Sequence, residues 1–96
     1  MITGNSTTRQ VFINGLRLDP ERSQKVWNHS PDGYNWGYSG SGPAQLALAI
    51  LLEFTDKDSA LRLHQQFKSD IIASLRGNFE LDIEIVKKWI ERRQIK

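Results

Sequence analysis

The stretch from Ala44 to Phe54, "AQLALAILLEF", dictates more of the fold than any other part of the chain. Wound as a helix, Leu46, Ala47, Leu48, Ile50, Leu51, Leu52 and Phe54 cover most of the wheel. Gln45, Ala49 and Glu53 leave only a narrow small or polar stripe. A helix apolar nearly all round has to be enclosed by protein on every side. In 96 residues there is material for one such enclosure, so the chain is expected to form a single domain around this helix. Leu46 to Leu52 is far short of the roughly 20 apolar residues that cross a bilayer, which excludes a membrane span here.

The sequence on either side supplies the enclosing elements. Met1 to Thr8 is small and polar and is expected to be a flexible tail, leaving residues 9–96 as the domain. Val11 and Ile13 alternate with Phe12, and Asn14-Gly15 suits a type I′ turn, which predicts a hairpin returning through Leu16 and Leu18. Ser23 to His29 reads as a third strand, "SPDG" as a turn, and Tyr34, Trp36 and Tyr38 as one face of a fourth. Gly42 as N-cap and Pro43 as first residue open the apolar helix. A second helix is expected from an Asp58 cap to about Arg76, with Ala60, Leu63, Phe67, Ile71 and Leu75 inward and Gly77 beyond its end. A third follows an Asp82 cap, with Val86, Trp89 and Ile90 inward. Strands first and helices after predict a segregated α+β fold: two antiparallel hairpins, then three helices, the first of them central.

Composition narrows the setting. With 39% hydrophobic and 25% charged residues the chain is not a disordered one, and a net charge of +2 is too small to imply nucleic acid by itself. Absence of cysteine removes disulfides and thiolate metal sites. "MITGNSTTRQ" lacks the basic start and apolar core of a signal peptide, so the expected location is the cytoplasm.

The segment leading into the apolar helix carries the strongest hint of function. Gly37, Gly40 and Gly42 permit close backbone approach, and a helix N-terminus offers unpaired N–H groups to an anion. Tyr34, Trp36 and Tyr38 could stack a planar group. Ser39 and Ser41 add hydroxyls, and Gln45 an amide. These eight residues form the candidate ligand site, for an anionic, nucleotide-like molecule. The structural alternative is that the glycines make the turn and the rings pack on the central helix. Named phosphate motifs do not fit. No lysine lies between Lys25 and Lys57 for a P-loop, and glutamine stands at position 45 where a dinucleotide fingerprint needs glycine.

Other chemistries find less support. His29 could act as base for Ser39 or Ser41, but no orienting acid is evident beyond Asp32, so no catalytic set is assigned. His29 and His64 are the only histidines and lack metal-ligand spacing, and His64 reads as a surface or boundary residue; no metal or cofactor is expected. Lys87, Lys88, Arg92 and Arg93, with Lys96 behind them, form a secondary basic patch on the last helix. Such a patch is more often a solvated face than a phosphate contact.

At "NHSPDGYNWGYSGSGPAQLALAILL", and more loosely through "ALRLHQQFKSDIIASL" to Trp89, the chain resembles a family of short proteins. That family is spread through bacterial, plasmid and phage genomes and is catalogued as a domain of unknown function. Trp36-Gly37-Tyr38 and Gly40-Ser41-Gly42-Pro43-Ala44-Gln45-Leu46-Ala47 are the specific part of the resemblance. It brings no activity with it. What it implies is a small accessory protein of mobile elements. Two functions follow as expectations. One is a non-catalytic binder that sequesters a nucleotide-like signal. The other is an interaction module that inhibits a host protein through exposed aromatics. The oligomeric state stays open, a homo-oligomer included.

Overall fold

The computed structural model describes residues 1–94, so Lys96 of the basic patch lies outside the described residues. The fold is α+β, as expected: a four-stranded antiparallel sheet with helices. The strands are β1 (Ile2–Gly4), β2 (Val11–Ile13), β3 (Leu16–Arg17) and β4 (Phe79–Leu81), in the order β3-β2-β1-β4. The helices are α1 (Glu21–Val26), α2 (Ser41–Phe54), α3 (Lys57–Asp70) and α4 (Ile83–Gln94), with a 3-10 turn at Ile72–Ser74.

The Asn14-Gly15 hairpin forms as expected, with both residues at positive φ, 50° and 82°. The second expected hairpin does not. Ser23 to His29 is not a strand; its first half lies in α1. The local reason is the Asp19-Pro20-Glu21 start: Asp19 Oδ1 accepts from the Glu21 amide at 2.9 Å, and Glu21 pairs with Lys25 one turn on at 3.2 Å. Tyr34 to Tyr38 is an irregular turn rather than a strand.

The two missing strands come from elsewhere. Part of the segment expected to be a flexible tail is β1, an inner strand of the sheet, and Ile2 is fully buried. Its register sets Ile2 opposite both Ile13 and Leu81, and Gly4 opposite Val11 and Phe79, while Thr3, Phe12 and Glu80 occupy the other face.

α2 is the buried helix the sequence demands, with every residue from Gly42 to Leu52 buried. Its N-cap is Gly40 rather than Gly42, and the Ala44 amide closes the first turn on the Gly40 carbonyl at 3.0 Å. α3 starts two residues earlier than expected. Asp56, not Asp58, is its cap, accepting from the Ser59 amide. It also ends earlier, at Asp70, whose carboxylate accepts from Trp89 Nε1 at 2.9 Å and Arg93 at 2.7 Å and so ties α3 to α4. Gly77, at φ 55°, therefore follows the 3-10 turn rather than the helix. Asp82 caps α4 as expected, and Val86, Trp89 and Ile90 are buried.

Candidate functional site

The turn between Tyr34 and Ser41 folds largely onto the protein's own core. Trp36 is buried, its Nε1 donating to the Gly77 carbonyl at 2.8 Å, its ring meeting Phe79 edge-to-face at 4.9 Å, and Arg9 lying over it at 5.2 Å. Tyr34 is buried too, with no hydrogen-bond partner for its hydroxyl among the described residues. Burial pushes that hydroxyl well above its ordinary pKa, and Asp19 and Glu53 add to the effect.

Two of the glycines have packing reasons. Gly37 sits at φ 86°, where its amide donates to Ile72 and an added Cβ would stand 2.9 Å from the Leu75 carbonyl oxygen. At Gly42 an added Cβ would stand 2.7 Å from Asn35 Cβ, so Asn35 covers that face of the helix start. Of the eight residues expected to bind a ligand, Tyr38, Ser39 and Ser41 are exposed and Gly40 lies partly exposed among them. Tyr34, Trp36, Gly42 and Gln45 are buried away from that surface. No hydrogen bond to the amides of Ser41 or Gly42 is present among the described residues. What remains at the turn is a helix N-terminus with hydroxyls beside it.

Gln45 has a different task from the one its position suggested. Fully buried, it accepts from the amides of His29 at 2.7 Å and Ser30 at 3.0 Å, and it donates to Ser23 Oγ at 2.9 Å and the Trp27 carbonyl at 3.1 Å. Every one of its side-chain hydrogens and both lone-pair directions are therefore used inside the protein. Gln24 adds a second tie, donating to the Ser30 carbonyl at 2.9 Å. The loop after α1 is thus clamped to the central helix through its backbone.

That clamp holds a cluster of rings. His29 stacks under Trp27, centroids 4.5 Å apart and planes 21° from parallel, and its Nε2 lies 2.9 Å from Nε2 of His64. Trp27 also meets His64 edge-on at 5.6 Å. His64 is buried on α3, not on a surface, and its Nδ1 lies 2.7 Å from the Leu61 carbonyl. A carbonyl can only accept, so His64 carries its hydrogen on Nδ1 and presents a bare Nε2, toward which His29 donates. Both rings are held below their ordinary pKa of 6.5, in each case by burial first. The neighbouring His64 and Lys68 add to the effect on His29, while the hydrogen bond at Leu61 opposes it in His64. Trp27 itself is 52% exposed. The sequence did hold a signal for His64: it sits four residues after Ala60 and three before Phe67, on the buried stripe of α3.

The basic patch divides. Arg93 is engaged with Asp70 and stacks over Trp89 at 4.5 Å, and Lys87 faces Glu84 at 3.8 Å. Lys88 and Arg92 have no ion pair among the described residues; with Ile71, Ile85 and Trp89 they line a shallow groove of about 240 Å³. A wider concavity of about 570 Å³ crosses β1 and β4, with Glu80 its one ionisable lining side chain. No group of three or more His, Cys, Asp or Glu gathers as a metal cage among the described residues, and none of their helices is long and apolar enough to cross a membrane.

The arrangement is that of a small α+β protein with a central helix buried from Gly42 to Leu52 and an aromatic loop hydrogen-bonded to it through Gln45. Residues 2–92 match a family of unknown function, DUF6166, and the chain belongs to that family. No curated protein and no solved structure matches the chain.

Proposed function

We propose that the protein is a non-catalytic interaction module whose working surface is the Trp27–His29 loop, docking a partner protein. The observation that carries this reading is the pairing of a half-exposed Trp27 with a fully buried Gln45 that fixes the backbone on both sides of His29. An indole held in place before binding loses little freedom on contact, and tryptophan is among the side chains enriched where binding energy concentrates. An accessory role on a mobile element, implied by the family resemblance, makes a host protein the natural partner.

A nucleotide-like ligand at Tyr38, Ser39, Gly40 and Ser41 is the second reading, favoured by the exposed start of α2, where the Ser41 amide has no partner among the described residues. Nucleic acid enters neither reading: Arg93 and Lys87 are engaged within the protein, which leaves Lys88 and Arg92 alone of the patch without an ion pair among the described residues.

The test purifies the tagged protein and its Trp27→Ala and Tyr38→Ala variants in parallel from the native host. A bound protein lost only from Trp27→Ala, at unchanged melting temperature, is the expected result; equal retention by both variants overturns it. A thermal-shift panel of nucleotides tests the second reading. Ligand at about 100 times its dissociation constant adds about 2.7 kcal/mol, and no upward shift with any phosphate compound removes it.

A further inference from the structure

We propose that copies of this chain join edge to edge, β4 of one molecule against β3 of the next, with Glu80 and Arg17 as the matching pair. The hydrogen-bond pattern of the sheet shows which backbone groups are free for this. The Asn14 amide donates to the Met1 carbonyl and the Asn5 amide to the Gln10 carbonyl, both at 3.0 Å. These bonds bracket the pairs Ile2–Ile13 and Gly4–Val11, so Thr3–Phe12 between them is the hydrogen-bonded pair. Thr3 thus turns its N–H and C=O toward β2, and Ile2 and Gly4 turn theirs toward β4. Glu80, opposite Thr3, therefore directs its own pair out of the sheet. At the far side the Leu18 amide donates to the Val11 carbonyl at 2.8 Å, so Phe12–Arg17 is a non-bonded pair and Arg17 also faces outward. The backbone groups of Glu80 and Arg17 have no partner among the described residues.

The two edges fit each other and not themselves. Arg17, Phe12, Thr3 and Glu80 form one row across one face of the sheet, positive at one end and negative at the other. A two-fold pairing of β4 with β4 would set Glu80 against Glu80, and one of β3 with β3 would set Arg17 against Arg17. Like charges directly opposite are destabilising, and opposite charges favourable. β3 and β4 also run in opposite directions, being three antiparallel steps apart, so β4 beside the next copy's β3 continues the same antiparallel sheet. Arg17 and Glu80 are both exposed. Glu80 has no ion pair among the described residues, and Arg17 has only a 3.7 Å pair with the exposed Asp19. A head-to-tail contact of this kind is open-ended. With strands of two and three residues it is also small, so the association is weak and reversible.

The test is sedimentation of the full chain from about 10 µM to about 1 mM, the range in which weak contacts register. The average mass of the wild type is expected to climb with concentration. Glu80→Lys and Arg17→Glu, at exposed positions, keep the melting temperature and each lower the association constant at least about fivefold. An equal mixture of the two variants regains the wild-type climb, because the new lysine of one faces the new glutamate of the other. A wild type that stays a single chain at every concentration overturns the proposal. So does a climb that either variant leaves unchanged, or a mixture that associates no more than its separate components.

Discussion

The glycine-rich turn at Tyr34–Gly42 and the loop at Trp27–Ser30 both lean on the first turns of α2, yet they use their aromatic residues in opposite ways. In the turn, Trp36 is 4% exposed and ties the segment to Gly77 and Phe79. In the loop, Trp27 is 52% exposed while the backbone beneath it is clamped by Gln45. The turn has the residue types of a ligand site and uses two of them, Tyr34 and Trp36, to close the core, leaving Tyr38, Ser39 and Ser41 at the surface. The loop has no motif, and it is where rigid apolar surface meets solvent. Residue type says what a side chain can do; the hydrogen bonds around it say what it is still available to do.

The contrast breaks most directly at its two tryptophans. Trp36→Ala empties a buried site against Phe79 and strands the Gly77 carbonyl, and is expected to cost about 3–5 kcal/mol in urea unfolding. A loss below about 1 kcal/mol would mean that the turn is not core. Gln45→Ala comes next. It leaves the amides of His29 and Ser30 without their partner, for an expected loss of about 2–4 kcal/mol. Hydrogen exchange at those two amides should quicken in the variant. Unaltered protection would show that the loop is held by something other than Gln45.

How far the sequence announced these two regions follows from how local each signal is. The buried helix, the Asn14-Gly15 turn and the Asp82 cap are set by residues within a few positions of one another, and all three were legible. β1 and β4 were not. Each has three residues, and what makes them strands is pairing across more than 70 positions, Ile2 with Leu81 and Gly4 with Phe79. α1 was misread because "SQKVWNH" alternates, although the Asp-Pro-Glu start two residues earlier is a helix signal. The histidine cluster could not be seen at all as a cluster. His64 could have been placed inside by its spacing from Ala60 and Phe67, but its partner lies on another element.

The pH dependence of stability sharpens the comparison on the loop side alone. The folded pair resists protonation, since both rings sit below the ordinary 6.5. As pH falls through about 6.5 the unfolded chain takes up protons that the folded pair does not. Stability is therefore full above that point and declines as pH drops toward the lower folded values. Urea midpoints at about pH 7.5 and 5.5 should differ more in the wild type than in His29→Gln. Equal differences would remove the pair as the cause. Neither Asp56 nor Asp70 confuses this window. Asp56, lowered by hydrogen bonds from Ser59, and Asp70, lowered first by Trp89, stay charged until pH falls below 3.8, and stability they contribute is lost only there.

The smallest effect completes the contrast from within the turn itself. Tyr38, 49% exposed, shares its segment with Trp36 but touches solvent. Tyr38→Ala is expected to change stability by no more than about 0.5 kcal/mol, the range of ordinary surface substitutions. Two aromatic residues two positions apart would then differ several-fold in what their removal costs. If Tyr38→Ala instead unfolds the protein as readily as Trp36→Ala, the turn acts as one cooperative unit, and the division between its buried and exposed faces fails.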